Sequence, residues 1–284
     1  MLCRFDGETW MPRLCAFDNG ICINGLVNLF RATGKEEHLR AAERMGEWLL
    51  RVMRRGDGSF FAKCMVGEEP KNPGGKWSLL SGTYLAKLAI PLLNLSRATG
   101  DSSYEKAARS LCDWALGKQQ SDGRFPTAEL PEETFLHPHC YTAEGLLIAG
   151  LVLNEDRYIA AAAKAVAWIA PRQLPSGGFP AFLERGNFLN VESPDISAQV
   201  LRLFLLLPLK FRSSISLDPQ SVVRDIAAMQ SRDADAAARG GILAGRAWFH
   251  GEREDCAGKH VNSWVTMFCA QTLELLLYGT EEFD

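Results

Sequence analysis

The sequence repeats itself, and that repeat limits the fold more than any other feature. Residues 31–50 read RATGKEEHLRAAERMGEWLL and residues 97–116 read RATGDSSYEKAARSLCDWAL, an offset of 66 without a gap. In each copy RATG closes a helix, with Gly34 or Gly100 placed to take a positive φ. An alanine-rich amphipathic helix follows and ends near Trp48 or Trp114. A looser third copy keeps the same ten-residue interval, because Tyr158 to Trp168 matches His38 to Trp48 and Tyr104 to Trp114. Each such helix runs into a glycine turn and then an aromatic: Asp57-Gly58-Ser59-Phe60, Asp122-Gly123-Arg124-Phe125 and Gly177-Gly178-Phe179. Gly240-Gly241-Ile242 reads as a further copy and Asp6-Gly7 as a first. A fixed period of this size is the signature of a chain built from stacked supersecondary units.

After each turn comes a loop and then a second, more apolar helix. These second helices are expected near 18–32, 77–97, 137–153, 194–208 and 261–278. The charged, alanine-rich helices are expected near 36–54, 102–119, 155–170 and 218–230. Helices that are apolar nearly all round must be buried, and those with a charged face can meet water. The alternation therefore predicts an all-α fold, an α/α toroid (barrel) of helical hairpins with five inner and four to five outer helices, as a single domain over residues 1–284. No long run of alternating apolar residues predicts a large sheet, although short pieces beside the turns are expected to form small hairpins. No charged helix precedes Asp6-Gly7, so the repeat is entered at its middle. That predicts an incomplete ring, missing preceding residues, or a ring that a partner completes. Exposed apolar faces in an open ring favour a homodimer.

Composition narrows the partners. At 284 residues the chain is long enough to bury a large core, and its net charge of -3 gives no reason to expect nucleic acid or an anionic membrane. The longest apolar run, Leu203–Leu207, is far too short to span a bilayer, and residues 1–30 carry no leader pattern. The eight cysteines form no CxxC pair. With Cys22, Cys112 and Cys269 in apolar surroundings, they are expected to be reduced core residues of a cytoplasmic protein.

In such a ring the glycine turns share one end, and the inner helices all start there. Their N-termini offer free N–H groups and positive potential to oxygen-rich ligands in a central cavity. The third inner helix has the richest start. His137, Tyr141, Glu144 and Ile148 fall at i, i+4, i+7 and i+11, which is one face. Ionisable groups there are costly unless paired or open to a cavity. Glu144 among apolar neighbours is the residue expected to keep a proton as a general acid; the structural alternative pairs it with His139 or a backbone group. The fourth start carries Glu192, Asp195, Gln199 and Arg202 on one face, as a catalytic set or as a buried acid–arginine pair. Asp18 opens the first inner helix as an N-cap or a carboxylate of the site. Trp77 and Tyr84 begin the second, and His260, Trp264, Met267 and Gln271 share a face of the fifth, with Trp248 just before it. Flat aromatics beside hydrogen-bonding groups suit a sugar ring. A zinc site from His137, His139, Cys140, Cys256 and His260 is the low-ranking metal alternative, because their spacing lacks tight pairs. The expected cofactor and metal are therefore none.

Gln119-Gln120-Ser121-Asp122-Gly123-Arg124-Phe125 resembles the QxxxGxW repeat of terpene cyclases and protein prenyltransferase β-subunits, with Phe for Trp. Similar glycine–aromatic turns occur in the six-hairpin glycosidase-like superfamily, which includes unsaturated glucuronyl hydrolases, N-acylglucosamine epimerases and toroidal polysaccharide lyases. The resemblance covers nearly the whole chain as repeat architecture and implies an α/α toroid. No DxDD or DDxxD stands in the sequence, so terpene-cyclase chemistry lacks its carrier. Sugar-active members use carboxylates, His and Tyr on inner helices, which this chain has.

The leading expectation is a carbohydrate-active enzyme working by hydrolysis, elimination or epimerisation on a sugar or short acidic oligosaccharide. Glu144 and Asp195 would do the acid/base work, assisted by His137, Tyr141 and His260. Asp18, Trp77, Tyr84, His139, Glu192, Gln199, Trp248 and Trp264 would bind the substrate. The alternatives are a terpene-cyclase- or prenyltransferase-like enzyme and a non-catalytic toroid that binds a protein partner.

Overall fold

A computed structural model describes residues 4–5, 10–11, 13–71, 77–127, 133–184, 186–244 and 260–279. β1 (Arg4–Phe5) pairs with β2 (Trp10–Met11), and β3 (Arg13–Cys15) runs straight into α1 (Ala16–Thr33). Gly34, at φ 68°, ends α1 and returns its N–H to Phe30 O. α2 (Glu36–Trp48) continues through a wider π-turn, Leu49–Met53, and β4 (Lys63–Met65) pairs antiparallel with β3. Two 3₁₀ turns, Trp77–Leu79 and Thr83–Leu88, lead into α3 (Ala89–Thr99). Gly100, at φ 77°, stops α3, and the Asp101 side chain accepts from Ser103 N to cap α4 (Ser102–Leu116). Then come β5 (Glu133–Phe135), α5 (Leu136–Leu153), α6 (Asp156–Ile169), β6 (Pro180–Glu184), β7 (Asn187–Glu192) and α7 (Pro194–Leu206). A single-turn α8 (Leu209–Arg212), α9 (Pro219–Ala228) and α10 (Ser263–Tyr278) complete the described elements.

The two expected helix types alternate along the chain: α1, α3, α5, α7 and α10 are charge-poor, while α2, α4, α6 and α9 carry the charged faces. The second charge-poor helix departs from expectation, since its first half is wound as 3₁₀ turns and the α-helix starts at Ala89. The expected first turn, Asp6-Gly7, lies outside the described residues.

The glycine turns show why the repeat exists. Gly58, Gly123 and Gly177 have φ of 89°, 100° and 98°. A Cβ on each would meet the backbone of a later charged helix: Ser110 O of α4 at 3.0 Å, Lys164 O of α6 at 2.5 Å and Ser221 O of α9 at 2.2 Å. Only glycine satisfies both the conformation and the approach. The residue before the glycine closes each turn: Asp57 accepts from Ser59 N, Asp122 from Arg124 N and Ser176 from Gly178 N. The aromatics that follow, Phe60, Phe125 and Phe179, are fully buried. The repeated tyrosines also link charged helices, because Tyr104 Oη reaches Glu43 O of α2 and Tyr158 Oη reaches Arg109 O of α4.

The chain divides into two compact units. The first holds residues 1–119, 127–129 and 144–159, and the second holds 120–126, 130–143 and 160–284, so α5 and α6 each contribute to both. In the first unit α1 packs on α2 and α3, with Asn94 Nδ2 donating to Asn24 Oδ1. In the second, β5–β6–β7 form an antiparallel sheet. β5 leads into α5 and β7 into α7, so this sheet sets where two charge-poor helices begin. α10 is fastened to α7 by Thr272 Oγ1, which donates to Ala198 O at 2.9 Å.

Low charge does not bury every such helix. α5 is buried from Pro138 to Gly150 and α7 from Pro194 to Leu201. α1 and α10 expose Ile21, Leu29, Trp264, Met267, Leu276 and Leu277. Cys22, on α1, is exposed rather than in the core, whereas Cys112 and Cys269 are buried as expected. Among the described residues no helix is long and apolar enough to cross a membrane.

Candidate active site

In the second unit, the starts of α5 and α7 bring His137 onto Asp195. Nδ1 of His137 makes a very short contact with Oδ2 of Asp195. Asp195 occupies the first turn of α7 behind Pro194 at N1, where a carboxylate also faces the positive end of the helix. Its other oxygen accepts from Ser193 Oγ, which also lies 3.1 Å from Ala244 O. Burial pushes the Asp195 carboxyl up, but the His137 charge, the hydrogen bonds from His137 and Ser193 and its own backbone N–H outweigh it. The net result is a carboxyl held below its ordinary range.

Gln199 sits one turn further along α7. Its Nε2 donates to Asp195 O at 3.1 Å and lies 3.1 Å from His137 Nδ1. Nδ1 has one proton, which the carboxylate takes, so the amide is a packing neighbour of that nitrogen. Oε1 of Gln199 is buried without a hydrogen-bond partner among the described residues. Tyr141, one turn beyond His137, stands edge-on to it at 4.4 Å, and Phe268 of α10 packs edge-on to His137 at 5.9 Å. Trp264 is edge-on to Phe268 at 5.7 Å and is 41% exposed. The result is an imidazole backed by a buried carboxylate and framed by aromatic rings.

Glu144 has a different environment. In the first unit its Oε2 lies 2.7 Å from Lys87 Nζ, both side chains being largely buried. Gly145 makes this possible, because a Cβ there would lie 2.4 Å from the Ala86 carbonyl carbon and oxygen. α5 therefore lies directly on the backbone of the Thr83–Leu88 turn, and Glu144 meets Lys87. The neighbour is an ammonium and not apolar surface, which removes the reason for expecting a protonated acid there. His139 is not its partner.

His139, expected to bind substrate, is held by backbone groups on both ring nitrogens. It is 2% exposed, with Nδ1 accepting from Phe125 N and Nε2 facing Ala165 O, both at 3.2 Å. Burial pushes its pKa down to about 4, against the pull of those hydrogen bonds. It ties the glycine turn and α6 to α5. With both nitrogens on backbone groups, His139 is also unsuited to the zinc alternative. Among the described residues no three His, Cys, Asp or Glu side chains group to hold a metal, and Cys256 lies outside the described residues.

The other expected site residues divide as follows. Asp18 is not the N-cap of α1: the helix starts earlier, Cys15 caps it, and Asp18 stands exposed in the first turn. Tyr84 is 4% exposed and donates to Ser78 O, and burial pushes its hydroxyl up. Trp77 packs edge-on against it at 5.3 Å, so these two are an aromatic cluster of the first unit. Glu192 lies on β7 rather than on the helix face, and it accepts from Ser176 Oγ at the third glycine turn. Arg202 is not the partner of Asp195. His260 precedes α10, whose N-cap is Asn262, so it shares no helical face with Trp264. Trp248 lies outside the described residues.

Lys87, Ser193 and Phe268 were not singled out from sequence. Lys87 had a usable signal. It is the sole charged residue in 77–96, as Glu144 is in 136–153 apart from the histidines. Two lone opposite charges in neighbouring apolar segments point to each other.

No protein-family model matches the chain, and no curated protein matches it in sequence. Solved structures do resemble it. Cellobiose 2-epimerase from Bacillus thermoamylovorans aligns with a TM-score of 0.72 at 12% identity, over 93% of this chain and 72% of that one. A D-mannose isomerase aligns at 0.73 and 13%, over 95% and 72%. An unsaturated glucuronyl hydrolase from a Bacillus species aligns at 0.68 and 15%, over 92% and 74%. The chain has the fold of the six-hairpin glycosidase-like enzymes, an α/α toroid.

Proposed function

We propose that the protein is a sugar-active enzyme that relocates a proton on its substrate, an aldose epimerase or aldose–ketose isomerase. The observation that carries this reading is the His137–Asp195 contact at the buried starts of α5 and α7. A carboxylate on Nδ1 fixes the tautomer and leaves proton transfer to Nε2. In this reading His137 takes the proton from the carbon next to the open-chain carbonyl. The electron pair moves onto the carbonyl oxygen, and the enediolate so formed takes a proton back at C2 from the other face, giving the epimer, or at C1, with the O2 proton passing to O1, giving the ketose. Asp195 stabilises the imidazolium formed in between, which suits a carboxyl held ionised. Gln199 Oε1 offers a buried acceptor to a sugar hydroxyl, and Trp264 an exposed ring to stack on a sugar face. The fold neighbours include an epimerase and an isomerase of sugars, which supports the same class.

Hydrolysis is the second reading, favoured by the glucuronyl hydrolase neighbours. It asks for one carboxylic acid as proton donor. The ionised state of Asp195 and the Lys87 partner of Glu144 weigh against both candidates for that role. The terpene-cyclase-like and non-catalytic readings draw no comparable support from these neighbours.

The test is incubation with mannose, glucose, fructose and cellobiose in deuterated water, followed by proton NMR. Deuterium at C2 or C1 of product is expected, and His137→Asn and Asp195→Asn should each abolish it. Release of product from an unsaturated glucuronyl disaccharide, with no deuterium entering any aldose, would replace this reading with the hydrolytic one.

A further inference from the structure

A groove of about 520 Å3 in the second unit shares no side chain with the His137–Asp195 pair. It is lined by Asp122, Arg124, Trp168, Arg172, Leu183 and Phe188, beside the β6–β7 hairpin. Two arginines meet there without adequate partners. Arg124, in the second glycine turn, has a buried Nε with no hydrogen-bond partner among the described residues. Asp122 Oδ2 is 3.9 Å from that nitrogen, beyond hydrogen-bond reach. Among the described residues the guanidinium's hydrogen bond, from Nη1 to Thr134 Oγ1, is long at 3.4 Å.

Arg172, just after α6, is clamped in place. Its guanidinium lies 4.7 Å from the Trp168 ring centre and 5.1 Å from that of Phe188, and Nη1 donates to Trp168 O. Its Nε is also buried without a hydrogen-bond partner among the described residues. Burial pulls its pKa below that of an ordinary arginine, against the charge of Asp122.

A buried N–H of a charged group left unbonded is costly, and this groove holds two. Among the described lining residues two guanidiniums stand with one carboxylate, so positive charge is in excess. The aromatic clamp fixes the Arg172 plane before any ligand arrives, which lowers the entropy lost on binding. Guanidiniums pair best with planar or tetrahedral oxyanions.

We propose that this groove binds the oxyanion of an acidic sugar, a carboxylate or a phosphoryl group held between Arg124 and Arg172. The site is independent of the acid/base pair. Trp168 in its wall lies 5.0 Å, ring centre to ring centre, from His139 of α5, which is not part of that pair.

Calorimetric titration of the full chain at low salt with glucuronate, glucose 6-phosphate and glucose tests the proposal without any need for turnover. Binding of an anionic sugar is expected, weakening as salt rises. Glucuronate alone would identify a carboxylate site and glucose 6-phosphate alone a phosphoryl site, and either supports the proposal. Arg124→Gln and Arg172→Gln should each weaken binding by about tenfold or more. Asp122→Asn should tighten it several-fold, since the competing charge goes while Oδ1 can still accept from Arg124 N. That gain of affinity cannot arise from a misfolded variant. Asp195→Asn should leave binding unchanged, which separates this site from the proposed reaction. Glucose binding as well as glucuronate, no binding of either anion, or anion binding indifferent to all three groove variants would each overturn the proposal.

Discussion

Gly177→Ala and Gly34→Ala form a matched pair that isolates the close approach on which the repeat depends. Both residues have positive φ, 98° and 68°. A side chain in this region costs about 1–2 kcal/mol. The loss of unfolded-state freedom on replacing glycine returns about 0.4–1 kcal/mol. Nothing lies within 4 Å of a Cβ at Gly34, so the net cost there should be about 0–1.6 kcal/mol. At Gly177 the new Cβ would sit 2.2 Å from Ser221 O and 2.6 Å from its carbonyl carbon. The obstacle is helix backbone, which has no rotamer to change, so α9 must retreat by roughly 1 Å to reach ordinary contact. Forced overpacking of this kind adds about 1–3 kcal/mol. Gly177→Ala should therefore cost about 2–4 kcal/mol in urea unfolding followed by tryptophan fluorescence. Amides of α9 should also exchange faster with solvent, since the contact that breaks is theirs. Equal destabilisation of the two variants, within about 0.5 kcal/mol, would refute the reasoning.

Three further outcomes follow from the buried ionisable groups. Lys87→Met removes the ammonium 2.7 Å from Glu144 and should cost about 3–5 kcal/mol, while Lys87→Met with Glu144→Met should recover most of that; a double variant as unstable as the sum of both singles would argue against a buried pair. His139 has a folded pKa of about 4 against an ordinary 6.5, so the unfolded chain binds the extra proton between those values. Its stabilising contribution should be complete above about pH 6.5 and fall by on the order of 3 kcal/mol as pH drops through 4, and a His139→Gln variant measured across the same range should lack that slope. Asp195 is depressed in the folded state, so its contribution is present above the ordinary carboxyl range and lost as pH falls through its folded value. Asp195→Asn should flatten that acid limb and also remove activity, whereas a merely structural role would leave turnover intact in the folded variant.

The site was partly legible. His137, Tyr141, Asp195 and Gln199 were marked out by helical spacing at the starts of apolar helices, and the structure brings these four together. His139 lies between His137 and Tyr141, yet the i, i+4 rule turns it to another face, where backbone groups occupy both its nitrogens. Glu144 shares the His137 face, but spacing along one helix says nothing about the segment packed against it. Lys87 arrives from 57 residues earlier, and only the Gly145–Ala86 contact puts the two charges together.

The sequence by itself determined the order and type of the helices. Their joints are local: a glycine at positive φ, a capping Asp or Ser, and a charged face every other helix all act within a few residues. It also determined the turns, although their second requirement, the backbone of a later helix against the glycine, is a tertiary fact that the repeat merely records. Which carboxylate meets an imidazole and which an ammonium was decided only in three dimensions. Partners of buried charges are chosen by which helices touch. A side chain's environment, and with it the chemistry it can do, comes from neighbours that are distant in the chain.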